Sequence, residues 1–106
     1  MAESKIPYDG DSSWITIASS LKYKRVGRMV TVKGVSSGEI NLLKNQWSNI
    51  GTLPQGYRPT EEIVFIAMDR NNIRAMMGTI TNEGIAKLYP EVSDANYWFY
   101  EVTYPI

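Results

Sequence analysis

The segment NYWFYEVTYPI, residues 96–106, decides the reading of this chain. It is dense in aromatic and β-branched residues, which suit a pleated, half-buried surface, and it predicts a strand. Side chains alternate across a strand. Trp98, Tyr100, Val102 and Tyr104 therefore share one face, and Tyr97, Phe99, Glu101 and Thr103 share the other. One face belongs in a core. Aromatic rings on the second face predict another buried surface, and for a small domain a subunit interface supplies it.

The preceding segments follow a similar pattern. EIVFIAMD (62–69) is a nearly continuous apolar run, the signature of a strand covered on both faces. The polar turn Arg70-Asn71-Asn72 leads into IRAMMGTI (73–80), and Thr81-Asn82-Glu83-Gly84 is a hairpin-type loop from which GIAKLYP (84–90) pairs back. Further upstream, WITIAS (14–19) and KYKRVGRMVTVKG (22–34) alternate as strands, with Gly27 marking a tight turn or bulge. Residues 36–50 fit a short helix or an extended path, and the asparagines at 41, 45 and 49 favour the extended or irregular one. GTLPQGYRP (51–59) reads as irregular, with Pro54 at the second position of a type I turn and Gly56 at the fourth. Residues 1–13 read as a polar arm or stem remnant, and 14–106 as one head domain. Seven or eight short strands without a helix predict an all-β fold, a small antiparallel barrel or sandwich.

Composition narrows the chemistry. The chain has 106 residues, one domain's worth, and lacks both cysteine and histidine. Disulfides, Cys/His zinc sites, thiol nucleophiles and imidazole-based triads are excluded. Eleven basic and eleven acidic residues cancel, so the domain has no global field to hold a polyanion. No apolar run approaches the roughly 18 residues of a membrane span, and no membrane insertion is expected. The opening MAESKIPYDGDSSW lacks the apolar region of a signal peptide.

Few residues suggest catalysis. Adjacent Glu61 and Glu62 point to opposite faces of an extended chain and cannot flank one bond. Asp69, Asn71 and Asn72 resemble part of a calcium loop, but the loop's glycine and distal glutamate are missing. The expectation is a non-enzymatic domain with no metal and no cofactor. Lys22, Lys24, Arg25, Arg28 and Lys33, with Tyr23 among them, read either as a single-strand nucleic-acid face or as a charged strand pair that blunts edge pairing. Zero net charge weighs for the second. Trp47, in the polar run Asn45-Gln46-Trp47-Ser48-Asn49, is the aromatic residue best placed to stack on a sugar. Asp69, Arg70, Asn71 and Trp98 complete a candidate saccharide site.

The order of motifs carries a resemblance. Trp14 is followed by Tyr23 through Gly34, which includes Gly27 and Gly34, and then by Leu53-Pro54-Gln55-Gly56-Tyr57-Arg58-Pro59. A hydrophobic strand, an Asn-Glu-Gly hairpin and an aromatic strand ending Tyr104-Pro105 complete the order. It resembles the C-terminal head domains of tailed-bacteriophage tail-fibre and baseplate receptor-binding proteins, notably those of phages infecting Gram-positive hosts. The resemblance implies a β-barrel head that assembles as a homotrimer on the virion tail with other tail or baseplate proteins. It implies recognition of a host cell-wall or surface glycan without enzyme activity, after synthesis in the bacterial cytoplasm. It gives Gly27, Gly34, Leu53, Pro54, Gly56, Tyr57, Arg58 and Pro59 a structural role, with Arg58 in a buried or interface pairing to a carboxylate, and transfers no binding residue. A tail module with no ligand of its own fits the same motifs.

Overall fold

A computed structural model describes residues 14–18 and 20–106; the arm read at 1–13 lies outside them. The described residues form eight strands and no helix: β1 (Ile15–Ala18), β2 (Leu21–Val26), β3 (Met29–Leu42), β4 (Ser48–Thr52), β5 (Ile63–Asp69), β6 (Arg74–Ile80), β7 (Ile85–Tyr89) and β8 (Ala95–Pro105). All pair antiparallel in the order β1-β2-β3-β8-β5-β6-β7-β4, a sheet curled into a nearly closed barrel. Two four-stranded halves meet where β5 joins β8, at the pairs Met68–Phe99 and Asp69–Trp98.

The alternation of β8 sets the core. Trp98, Tyr100 and Tyr104 point inward and are fully buried, together with Leu21, Val30, Val32, Leu42, Leu53, Ile80 and Leu88. Phe65 of β5 meets the Tyr100 ring at 4.6 Å and spans the joint between the halves. Gly34 of β3 lies opposite Tyr100, whose ring occupies the space a side chain would need: a Cβ there would sit 2.1 Å from a ring carbon.

The outer faces differ from expectation. On β5, Phe65 and Ala67 point inward, but Val64 and Ile66 are 62% and 67% exposed and Met68 is exposed beside them. The apolar run is therefore covered on one face, not two, because no second layer packs over β5 within the subunit. The outer flank of β8 is likewise uncovered at Phe99, Glu101 and Thr103.

The Leu53–Pro59 segment closes the barrel end reached by the C-terminal half of β8. Leu53 and Pro59 are buried, Tyr57 packs edge-on against Tyr23 at 4.6 Å, and the Tyr104 hydroxyl donates to the Tyr57 carbonyl. The hydrogen-bonded turn is one residue later than the sequence reading placed it. Tyr57 N–H donates to Pro54 O (3.2 Å), so Gly56 takes the third position, where its φ of 94° suits glycine. Arg58 Nε donates to the Leu53 carbonyl at 2.8 Å. Within the subunit its partner is backbone rather than a buried carboxylate, and it folds the segment onto itself. Gly27, with φ 61°, makes the tight turn between β2 and β3.

Burial pushes Tyr100 and Tyr104 well above the ordinary tyrosine value of 10.0, and the nearby Tyr104 adds to the effect at Tyr100. Their phenols keep the proton in the folded state after an unfolded chain would release it. This stability is fully present below about pH 10 and is lost as pH rises through the folded values. With no histidine to titrate, the melting temperature is expected to be flat from about pH 6 to 9 and to fall steeply above about 10. The Tyr100 hydroxyl is buried with no hydrogen-bond partner among the described residues, so Tyr100→Phe is expected to cost nothing at neutral pH and to extend the alkaline limit. Thermal melts across the pH series check both.

Candidate functional site

The opposite end of the barrel holds a polar depression. It begins at the turn between β5 and β6. Asp69 is buried, and its carboxylate turns the chain: Oδ1 accepts from Asn71 N–H (3.1 Å) and Asn72 N–H (3.3 Å), and Oδ2 accepts from the Asn72 side-chain amide (2.8 Å). The same Asn72 nitrogen donates to Ser93 Oγ at 2.9 Å, which ties the turn to the loop before β8. The turn ends at Ile73, 84% exposed with φ 53°, a left-handed conformation that β-branched residues avoid. Such strain persists where surrounding contacts overdetermine the backbone, and it clusters at ligand-contacting loops.

Arg70 and Asn71 project from this turn over the start of β8. Arg70 N–H donates to Tyr97 O at 2.7 Å, and its guanidinium lies 4.5 Å from the centre of the Tyr97 ring. The Asn71 amide donates to Asn96 Oδ1 at 2.8 Å. Asn71 Oδ1 and Asn96 Nδ2 have no hydrogen-bond partner among the described residues. A bulge in β3 supplies the remaining wall. The β3–β8 register runs from Ser37–Tyr97 to Leu42–Ala95, so extra residues loop out between them. Buried Ser36 pins the bulge, donating to Asn96 O (2.9 Å) and accepting from Ile40 N–H (3.1 Å). The Trp98 indole N–H donates to Ile40 O at 3.1 Å. Glu39 at the bulge accepts from Ser37 N–H at 2.7 Å, and the backbone donors hold its carboxyl below the usual range. The result is an open depression of about 460 Å³ lined by Ser37, Gly38, Asn71, Asn96 and Tyr97.

Of the residues singled out from the sequence, Asp69, Arg70 and Asn71 come together here. Asp69 is a positioning residue, because its oxygens are occupied within the turn and buried. Trp98 is corrected: its face of β8 points inward, it is fully buried, and it supports the bulge from beneath. Trp47, 43% exposed, packs instead on Tyr89 at 5.1 Å, with Lys87 Nζ 5.6 Å from its ring. Tyr97, Asn96, Ser37 and Gly38 were missed. The available signals were Tyr97 on the outward flank of the last strand and a Ser-Ser-Gly run inside a strand-length segment.

The basic run is largely engaged in structure. Arg25 donates to Gly27 O and Gly56 O, Arg28 donates to Ile106 O, and the Lys24 and Lys33 ammonium groups lie 4.7 and 5.5 Å from the Trp14 ring centre. Among the described residues, no group of three or more acidic side chains is placed to hold a metal ion. No model of a known protein family matches the chain, and no curated protein matches it at a significant level.

Proposed function

We propose that this domain is a non-enzymatic receptor-binding head of a phage or prophage tail, displayed as a homotrimer, that binds host cell-surface saccharide in the depression between the β5–β6 turn and the β3 bulge. The observation that carries this reading is one aromatic ring, Tyr97, flanked by paired amides. A sugar offers an apolar ring face and a rim of hydroxyls. Tyr97 supplies the flat partner for the first, through the ring face that the Arg70 guanidinium does not cover. Asn71 and Asn96, locked to one another, present one acceptor and one donor for the second, and the Ser37 hydroxyl adds either. Pinning the amides and the bulge in advance lowers the ordering cost of binding. Such open, shallow sites bind weakly one at a time, and several copies on one tail raise the effective concentration.

The test is binding of the folded domain to a glycan array and to cell-wall polysaccharide. Tyr97→Ala is expected to weaken binding at least about tenfold, equivalent to ~1.4 kcal/mol. The melting temperature should change little, because the ring stands on the outer face of β8. Blank results with folded protein on every glycan would favour a structural tail module. Labelled oligonucleotides at low salt should show no binding.

A further inference from the structure

We infer that Trp47 and Tyr89 form a second saccharide platform, so that the domain grips a polysaccharide at two points along its length. This rests on the saccharide part of the proposal above and adds a separate site to it. Trp47 lies in the loop before β4 and packs on Tyr89, the last residue of β7, with ring centres 5.1 Å apart and planes inclined at 46°. Neither ring lies flat on the other, and Trp47 is exposed. The loop is tied to the end of β7. Asn45 N–H donates to Pro90 O at 2.6 Å, and the Tyr89 hydroxyl donates to Asn45 Oδ1 at 2.9 Å. Polar groups fringe the rings. Lys87 Nζ stands 5.6 Å from the Trp47 ring centre, and register sets Asn49 of β4 beside Lys87. Asn49 Oδ1 accepts from Gly51 N–H, while Asn45 Nδ2 and Asn49 Nδ2 have no hydrogen-bond partner among the described residues.

The chemistry of the platform selects a sugar. Its rings offer flat apolar faces to the C–H face of a pyranose, and the amide and ammonium donors at their rim meet hydroxyls. An apolar peptide would bury those donors without partners. The position of the platform selects a polymer. Tyr89 pairs with Met77, Met77 with Ile66, and Met68 with Phe99, so Tyr89 and Tyr97 stand on one outer face of the sheet. About 4.8 Å per strand and about 3.3 Å per residue set them roughly 20 Å apart. One sugar ring does not bridge that distance, and a chain of several does. The ground beside Tyr89 is recessed toward β5, in a groove of about 600 Å³ whose lining includes Ile66, Met77, Tyr89 and Glu91. Two weak contacts on one polymer reinforce each other, because the first sets the effective concentration for the second.

Isothermal titration with fragments of graded length cut from cell-wall polysaccharide tests the assignment. The unaltered domain is expected to bind fragments long enough to reach both sites at least about tenfold more tightly than short ones. Trp47→Ala should bind long fragments no better than short ones, and Trp47→Leu, which keeps apolar bulk without a flat ring, serves if that variant fails to fold. Tryptophan fluorescence gives a readout at the platform itself. Trp98 is fully buried, so the exposed Trp47 should report long-fragment binding in the parent and, at higher fragment concentration, in Tyr97→Ala. Equal affinity for short and long fragments in the parent overturns the inference and leaves Trp47 and Tyr89 to a different partner. A folded Trp47→Ala or Trp47→Leu variant that keeps the length gain overturns it equally. The depression can fail by itself: if Tyr97→Ala keeps the parent affinity while Trp47→Ala loses it at every length, the platform stands and the site beside Tyr97 does not. Folded protein that binds no fragment of any length overturns both.

Discussion

Replacing Trp98 by alanine is expected to remove about 4–6 kcal/mol of stability, a third or more of what the domain holds. The side chain is fully buried where the two halves of the barrel meet, stacked near Tyr100 with ring centres 6.2 Å apart. Large-to-small changes of buried aromatic residues cost about 3–5 kcal/mol through lost transfer energy and the cavity left behind. The indole hydrogen bond to Ile40 O adds roughly 1 kcal/mol, because that carbonyl lies in the bulge that Trp98 supports. A domain of this size holds only about 5–15 kcal/mol in total. Urea titration followed by circular dichroism reads the loss. Trp98→Phe keeps most of the volume and should fold with a deficit of about 1–2 kcal/mol. It should retain saccharide binding, since the ring never reaches the surface. A folded Trp98→Ala protein that had lost only ligand binding would contradict this placement.

The barrel was legible because period-two alternation and turn chemistry report on neighbours along the chain. The split of β8 into Trp98, Tyr100 and Tyr104 against Tyr97, Phe99 and Thr103 follows from strand geometry alone, as does the β2–β3 turn at Gly27. What alternation does not contain is which other strand or layer covers a face. EIVFIAMD is apolar at every position from Ile63 to Met68, so periodicity cannot mark one side as exposed, and the uncovered face of Val64 and Ile66 was invisible. The proposed binding depression was half legible for the same reason. Asp69 to Asn71 form a local polar turn, readable from composition. Their meeting with Asn96, Tyr97 and the Ser37–Gly38 bulge depends on the β3–β8 register and on the single short junction between β5 and β8, which are long-range facts. Trp47 was attractive as a tryptophan in a polar loop, yet loop composition says nothing of the distance to another loop.

Asp69→Ala should abolish saccharide binding and cost about 2–4 kcal/mol of stability, since hydrogen bonds to a charged acceptor contribute roughly 1.5–3 kcal/mol each and water replaces part of the loss. One carboxylate satisfies two backbone N–H groups and the Asn72 amide, and through Asn72 it reaches Ser93. Without it, the turn loses the acceptor for both backbone N–H groups ahead of Ile73, whose left-handed backbone carries about 1–3 kcal/mol of strain. The turn should relax, and Asn71 should leave Asn96, taking the ligand-facing acceptor with it. Asp69→Asn separates the two roles. An asparagine oxygen can still accept from the Asn71 and Asn72 backbone, but its amide then meets the Asn72 amide, donor against donor. That variant is expected to fold nearly as well as the parent and to bind with intermediate affinity. Isothermal titration with a positive glycan, alongside thermal melts, measures both terms. If Asp69→Ala bound saccharide as tightly as the parent, the β5–β6 turn would have no part in recognition, and the depression beside Tyr97 would not be the site.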